Sequence, residues 1–331
     1  MRNILTTILL LVALTVSAQN YSPCYKEKYE AGVALYNKGD YSGAKAKFVA
    51  AKGCPMPNTA QADEWIKKCN AKLTPAPPKV SVSVLADADG NLIFFVGDVI
   101  FKMVKVQGGT FTMGCTSEQG SDCYDDEKPS HTVTLSTYYI GETEVTQALW
   151  KAVMGSNPSR IMGDKRPVEH VSWDDCQEFI RKLNKLTGEK FRLPTEAEWE
   201  FAARGGTKSA GYKYSGSNDI NAVAWYNVNA HDKGKSSPDY GTHVVKTKKP
   251  NELGIYDMSG NVAEWCSDWF GDYTGATQTN PQGAPSGSYR DRVHRGGSWS
   301  YYARYCRSSN RLYSTPALRN YDLGLRLVLL P

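Results

Sequence analysis

The final segment of the chain, Arg292 to Val328, holds the side chains best suited to chemistry. It contains one thiol, Cys306, and a hydroxyl, Ser298, directly after a Gly296–Gly297 pair that permits a sharp turn. The rest is rich in Tyr, Ser, Asn and Arg, a composition typical of recognition surfaces, where tyrosine gives contact area at low entropic cost. We expect ligand contacts from Trp299, Tyr301, Tyr302, Tyr305, Tyr313, Asn320, Tyr321 and Asp322.

The N-terminus predicts export. Arg2 precedes an apolar run, Ile4 to Val16, and small residues follow at Ser17 and Ala18, so residues 1–18 have the pattern of a cleaved signal peptide. The run is short for a membrane anchor, and we expect no membrane span in the mature chain. The predicted location is the periplasm, the cell surface or the medium, where disulfides persist. The net charge of +5 is spread along the chain without a basic stripe, so nucleic acid is not an expected partner.

Two folded parts are predicted on either side of a proline-rich linker. The first is a tetratricopeptide-like helical hairpin, because Gly32, Ala44, Phe48 and Ala51 have the spacing of one such repeat. A single repeat is either a spacer or a small cap that docks a partner. The predicted divisions are 19–73 for the helices (with a third helix at 60–73), 74–79 for the linker, 80–100 for a β-hairpin and 101–331 for the main domain.

The main domain has an irregular pattern of short elements and Gly-rich loops. Apolar alternation predicts a half-buried final strand through Leu325, Leu327 and Leu329. Ser172 and Thr195 have the positions of helix N-caps, the second in a capping box. The other predicted elements are strands at 104–113 and 131–139 and a helix at 144–154.

Several motifs of this domain together resemble the formylglycine-generating enzyme family, also called the sulfatase-modifying factor family. They occur in the family's order from Lys102 to the end of the chain. The resemblance implies an α+β, largely irregular fold related to C-type lectins. The motifs are GGTFTMG at 108–114, ETEVT at 142–146, PVEHVSW at 167–173, RLPTEAEWE at 192–200, NELGIYDMSGNVAEW at 251–265 and RGGSW at 295–299.

The resemblance also identifies what an oxidase would need. Members that make formylglycine bind Cu(I) with two cysteines of the final segment, since soft Cu(I) prefers thiolates. Cys306 matches the second position, whereas Tyr301 stands at the first. A phenol is a hard oxygen ligand, so copper is not expected, and Cys306 and Ser298 would be catalytic only in an active enzyme.

The remaining cysteines bear on the same question. Cys266 could supply a second thiol, but in an exported protein we expect a Cys266–Cys306 disulfide, with buried free thiols or a metal site as the alternatives. Cys115 and Cys123 flank a polar loop and are expected to pair. Cys24, Cys54 and Cys69 offer one further pair, of which Cys54–Cys69 is one possibility, because sequence does not fix connectivity. Cys176, on an apolar helix face, is expected to be an inert core thiol.

A calcium site is the second expectation that the resemblance carries. Its ligands would be the side chains of Asp257 and Glu264 and the carbonyls of Gly260 and Val262. Hard oxygens spaced along a tight loop suit Ca²⁺. Calcium would be structural, because it would join loops that have little core of their own.

Three functions follow as hypotheses. The first is an exported, non-catalytic binding module for a protein or surface ligand, using the Tyr/Ser-rich final segment, which also resembles the variable region of proteins diversified by retroelements. The second is a formylglycine-generating oxidase acting on sulfatase cysteines. The third is a structural component that docks a partner on the helical cap.

Overall fold

The computed structural model describes residues 22–55, 59–73, 81–285 and 290–331. The predicted signal peptide at 1–18 and the linker at 74–79 lie outside these residues. The described chain forms two compact units, divided between Lys79 and Val80. None of its helices is long and apolar enough to span a bilayer.

Three helices make up the first unit. Helix α1 begins after Ser22, whose side chain accepts a hydrogen bond from the Tyr25 N–H, and Asp40 caps α2 in the same way. Their buried faces meet around Phe48, which stacks on Trp65 of α3. The helices are α1 (Pro23–Asn37), α2 (Tyr41–Lys52) and α3 (Ala60–Leu73).

One disulfide of this unit differs from the expectation. Cys24 at the start of α1 is bonded to Cys54 after α2, and Cys69 is a free, buried thiol. The predicted Cys54–Cys69 pairing is therefore wrong. Cys69 instead packs on the buried face of α3, within the apolar cluster of the unit. The bond joins the two ends of the helical hairpin.

The second unit is built on three small sheets with long irregular connections. A five-stranded sheet has the order β1–β2–β3–β6–β12, a four-stranded sheet β10–β9–β7–β11, and a three-stranded sheet β4–β5–β8. The strands are β1 (Val82–Ala86), β2 (Leu92–Val96), β3 (Val99–Val106), β4 (Gly109–Met113), β5 (His131–Leu135), β6 (Tyr138–Gly141), β7 (Ala263–Trp269), β8 (Gln278–Thr279), β9 (Arg292–Arg295), β10 (Arg311–Ser314), β11 (Leu323–Leu325) and β12 (Val328–Leu329).

The strand predictions were right in place but too long. Each of the two predicted strands at 104–113 and 131–139 is divided between two sheets, because the chain turns at Gly108 and after Leu135. The predicted half-buried final strand is wrong. Residues 323–329 are all buried and form two short strands in different sheets, with Arg326 fully buried between them. Apolar alternation cannot reveal a buried arginine, because its burial depends on a distant carboxylate.

Four helices accompany the sheets. Helix α4 begins three residues later than predicted, because Thr146 is its N-cap. Ser172 and Thr195 are the N-caps of α5 and α6, as predicted, and the predicted capping box at Thr195 is present. Ser172 also forms a capping box, with Asp175, which was not predicted. Every residue of α6 is buried, so this helix runs through the core. The helices are α4 (Gln147–Met154), α5 (Trp173–Thr187), α6 (Glu196–Ala203) and α7 (Ile220–Val223).

Buried ion pairs join α6 to the final segment. Glu196 binds Arg311 in a bidentate pair at 2.7 and 2.8 Å, and Glu200 pairs with Arg295. A further pair links Arg326 to Glu264 of β7 at 2.7 Å. Such pairs fix the geometry of the segment more than they add net stability, because each charge pays a desolvation penalty.

Candidate functional site

A tight turn places the final segment over Cys306. Strand β9 ends at Arg295, and the chain then reverses through two glycines with positive φ. A side chain at Gly297 would bring its Cβ within 2.8 Å of the Cys306 sulfur and of the Tyr305 carbonyl oxygen. The turn therefore closes directly on the thiol.

Cys306 is a buried, unpaired thiol. It packs against Tyr214, Ile220, Val223 and Tyr226 and is fully shielded from solvent. Burial raises its pKa to about 12, although backbone N–H groups point toward the sulfur. The buried thiol is therefore protonated at neutral pH in the metal-free chain.

The expected Cys266–Cys306 disulfide is wrong. Cys266 is also free, and it lies on β7 in a different core cluster, with Trp199 and Val293. Burial raises its pKa well above the usual value. The predicted Cys115–Cys123 disulfide is present, and Cys176 is a buried free thiol, as expected.

Tyr301 occupies the position where copper-binding relatives are expected to have a thiol. Its ring is half-buried and lies 5.7 Å from that of Tyr305. Burial raises the pKa of the phenol, with a further contribution from the Asp322 charge. A neutral phenol is a poor ligand for Cu(I).

Ser298 and Asp322 form a buried hydrogen-bonded pair. The Ser298 hydroxyl donates to the Asp322 carboxylate at 3.0 Å, and the Ser300 hydroxyl donates to the same oxygen at 2.7 Å. Asp322 is 2% exposed, and burial raises its pKa. Asp322, one of the predicted contact residues, therefore lies buried beneath the two hydroxyls.

Trp299, another of the predicted contact residues, is likewise buried. It is 1% exposed, and its ring contacts those of His231, Tyr240 and Tyr321. Its indole N–H donates to the Tyr321 carbonyl at 3.3 Å. Trp299 therefore lies beneath the final segment, and its ring packs among those of its aromatic neighbours.

The exposed part of the segment is aromatic. Tyr302 is 66% exposed, while Tyr301 and Tyr305 are half-buried. Tyr305 stacks on Tyr124 at 5.8 Å, and the exposed Arg304 lies 4.0 Å over the Tyr124 ring. We call these five residues the aromatic surface.

The other predicted contact residues are dispersed along the segment. Tyr313 is 47% exposed on β10, where it stacks on Phe270 at 3.9 Å. Asn320 and Tyr321 are half-buried beside Asp322. No local pattern indicated that Tyr124, far away in the chain, lies against Tyr305 in this surface.

The predicted calcium loop turns sharply, since Asp257, Gly260 and Asn261 all have positive φ. Asp257 is 4% exposed, and one of its oxygens accepts the Lys246 N–H at 2.8 Å. Burial raises its pKa to about 6. Glu264 has both oxygens engaged, by the Arg326 guanidinium and by the Trp199 indole N–H.

A third carboxylate, Glu144, lies near this loop and was missed by sequence reasoning. It is 1% exposed, one of its oxygens has no hydrogen-bond partner among the described residues, and burial followed by the Asp257 charge raises its pKa well above the usual value. Buried hard oxygens of this kind fit a cation such as Ca²⁺ in chemical type. Across the described ranges, however, no three His, Cys, Asp or Glu side chains are grouped to hold a metal, so the backbone carbonyls of Gly260 and Val262 would have to contribute.

Comparison with known proteins gives a family match. The model of the sulfatase-modifying factor enzyme 1-like domain matches residues 98–330. The chain is 37% identical over 240 residues to chaperone protein LppX of Paenibacillus barcinonensis, covering 60% of this chain and 78% of that one. It is 31% identical over 285 residues to the formylglycine-generating enzyme of Streptomyces coelicolor, covering 67% and 87%.

Solved structures show the same fold. Treponema denticola variable protein 1 superposes with a TM-score of 0.64 at 38% identity, over 73% of this chain and 99% of that one. PvdO from Pseudomonas aeruginosa superposes with a TM-score of 0.60 at 25% identity, over 75% and 98%. Both superpositions include nearly all residues of the solved structure, so the similarity extends over its complete domain.

Proposed function

The chain belongs to the sulfatase-modifying factor family, with the α+β, largely irregular fold of that family, and from this premise we propose that it is an exported binding module without oxidase activity. The module contacts a protein or another surface ligand through the aromatic surface and the neighbouring Asn320, Tyr321 and Tyr313. The helical cap is a second, separate place for a partner.

One observation carries the proposal: Cys306 is a buried thiol whose counterpart position is held by Tyr301. Cu(I) chemistry needs soft thiolate ligands. With Tyr301 at the counterpart position, Cys306 lacks the second soft ligand of such a site. What remains usable is the exposed aromatic and polar surface, whose composition suits binding.

The similar proteins support a binding role in a limited way. One bears the name of a chaperone, a class of protein that acts by binding other proteins, and another is named a variable protein. A binding role for this chain is compatible with those names.

The test is partner capture with surface variants. The full chain is immobilised and exposed to an extracellular extract, and captured proteins are identified by mass spectrometry. Tyr302→Ala, which removes a 66% exposed ring, should abolish capture of a specific partner while leaving the circular dichroism spectrum unchanged. Tyr212→Ala, an exposed tyrosine outside the final segment, is the matched control. A partner captured equally by Tyr302→Ala and by the wild type would exclude this surface.

Oxidase activity is the competing function, favoured by the similarity to the Streptomyces coelicolor enzyme over 87% of its length. It is tested by titrating Cu(I) against a chromogenic chelator and by mass spectrometry of a sulfatase-derived cysteine peptide. Tight copper binding that is lost in Cys306→Ser, together with conversion of the peptide, would replace the binding module with an oxidase.

Calcium and export complete the proposal. Asp257, with the Gly260 and Val262 carbonyls, would hold Ca²⁺ and fasten a loop that has little regular structure; Glu264 would join them only by releasing part of its contact with Arg326. Two disulfides and the signal-like N-terminus support export to an oxidising compartment.

A further inference from the structure

A small cavity lies in the second unit, among the start of α6, the end of β7 and the loop that follows β7. Its volume is about 230 Å³. That is below the roughly 300–1,000 Å³ of sites for drug-sized ligands, so the cavity suits a single side chain. Buried residues form its floor, whereas the exposed Asp272, Thr274 and Gly283 form its mouth. None of the five residues of the aromatic surface lines it.

The first polar group of the floor is Asp268, which is 3% exposed. Its Oδ2 atom accepts the Glu196 N–H at 3.0 Å and the Ser267 hydroxyl at 2.9 Å. Its Oδ1 atom accepts no hydrogen bond from a residue that the structure describes and, unlike the free oxygen of Glu144, is not sealed inside the protein. A Cβ at Gly283 would lie 2.9 Å from Oδ1, so the glycine leaves space in front of this oxygen.

Asp268 forms no ion pair with a described residue, because the arginines around it are engaged elsewhere. Burial lowers the pKa of Arg292 and the Asp268 charge opposes this, yet the guanidinium lies 3.5 Å over the Trp269 ring. Arg192, on which the Asp268 charge also acts, pairs with Glu198 at 2.6 Å. Burial and the charge of a neighbouring glutamate raise the pKa of Asp268 to about 7, the direction expected for an uncompensated acid.

The second polar group of the floor is His131, which is 5% exposed. Its Nδ1 atom lies 3.3 Å from the Pro129 carbonyl oxygen. Because a carbonyl only accepts, this contact places the ring proton on Nδ1 and leaves Nε2 of the neutral ring as an acceptor. Nε2 has no hydrogen-bond partner in the described ranges and is not sealed from the cavity. An edge-on contact with the Tyr273 ring at 4.7 Å fixes the orientation of the imidazole.

Two buried side chains thus present acceptors without donors to the same cavity. A ligand that fits them must bring N–H groups, and an ammonium or guanidinium group brings several together with a positive charge. The remaining floor is apolar at Met113, Ala197 and Ala284, which suits the methylene stem of a long cationic side chain. Asp272 adds a second negative charge at the mouth, where it attracts cations from solution.

We propose that this cavity is a second binding site, which accepts the ammonium or guanidinium group of a lysine or arginine side chain carried by a partner. Asp268 Oδ1 and His131 Nε2 accept its N–H groups, and Asp272 draws the charge to the mouth. Because the cavity is lined by none of the residues of the aromatic surface, the inference goes beyond the proposed function and does not depend on it.

The test compares three small probes on the ¹⁵N-labelled full chain at pH 8, where Asp268 is mostly ionised. Binding is followed by chemical-shift changes at residues 268–284. Nα-acetyl-lysine methylamide should bind about tenfold or more tightly than Nα-acetyl-norleucine methylamide, which lacks the ammonium group, and its affinity should fall as salt is raised. Butylammonium has the same charge without a peptide backbone and should bind more weakly than the lysine probe.

Three variants locate the effect. Asp268→Asn should weaken the lysine probe about tenfold, and His131→Phe, which keeps the ring, about threefold, with norleucine binding unchanged. Asp272→Asn should weaken it about twofold, mainly at low salt. Asp239→Asn, an exposed carboxylate that does not line the cavity, is the control and should change nothing.

The inference would be overturned by equal affinity for the lysine and norleucine probes, by the absence of shift changes at 268–284 with the lysine probe, or by unchanged lysine binding in Asp268→Asn. Butylammonium binding as tightly as lysine would assign the cavity to a free amine and overturn the assignment to a partner side chain. If Asp268→Asn does not fold, unchanged binding in both His131→Phe and Asp272→Asn decides against the site. Partner capture with Tyr302→Ala tests the proposed function separately.

Discussion

The ion pair between Arg307 and Glu127 should be the main anchor of the aromatic surface. Both side chains are fully buried, and the pair is bidentate at 2.5 and 2.8 Å. Burial by itself would raise the pKa of Glu127, but hydrogen bonds from Arg307 and Ser309 lower it below the usual value. The Glu127 carboxylate is therefore charged in the native state, and it supplies the counter-charge for the buried Arg307 guanidinium.

The perturbation is Glu127→Gln. It leaves the Arg307 guanidinium buried without a counter-charge, a change that costs about 3–5 kcal/mol when a buried pair loses one member. For a unit of this size that corresponds to a Tm about 6–20 °C lower. Since seven of the eight tryptophans lie in the second unit, tryptophan fluorescence during thermal unfolding reports mainly on that unit.

Two further variants make the measurement decisive. Asp125, two residues before Glu127, is exposed and pairs with Lys128, so Asp125→Asn should leave Tm unchanged. Combining Glu127→Gln with Arg307→Met removes both charges and should recover part of the loss, giving a coupling energy above about 0.5 kcal/mol. A wild-type Tm in Glu127→Gln, or strictly additive losses in the double variant, would refute the reasoning.

Three other outcomes are expected. Calcium at about 100 times its Kd should stabilise the protein by about 2.7 kcal/mol relative to protein kept calcium-free with a chelator. Asp257→Asn should remove this stabilisation. Identical thermal unfolding curves with and without calcium would exclude the site. The four free cysteines, Cys306 among them, should be unreactive toward a thiol reagent at neutral pH until the protein unfolds, and two fast-reacting thiols in the native state would instead favour a copper site. Burial and the Glu196 charge raise the pKa of Asp268 to about 7, above its unfolded value. The contribution of Asp268 to the free energy of unfolding is therefore full at acidic pH and is lost as pH rises through 7. Urea unfolding of Asp268→Asn at several pH values should lack this pH dependence, and an unchanged dependence of the unfolding free energy on pH would contradict the assignment.

The sequence by itself determined the family, the fold class and several local features. The order of the motifs from Gly108 to Trp299 is a property of the chain alone, and capping at Ser172 and Thr195 depends on side chains only three residues away. The Cys115–Cys123 bond closes a short loop, so its partners are also close in sequence. The presence of Tyr301 at the position of the family's first copper-binding cysteine is likewise visible in the sequence alone.

Only the tertiary structure decided which residues are accessible and which charges are paired. Trp299 and Asp322 have the composition of a surface, yet a distant loop carrying His231 and Tyr240 and the hydroxyls of Ser298 and Ser300 bury them. A local pattern cannot show such contacts, because the partners are far away in the chain.

The thiols illustrate the same division. Their number and the expectation of an oxidising compartment are sequence properties, but pairing requires two sulfurs to meet in space. Cys266 and Cys306 lie in different core clusters, and Cys24 rather than Cys69 reaches Cys54. Residue type established which chemistry was possible; long-range packing decided which groups were buried, charged or within reach of one another.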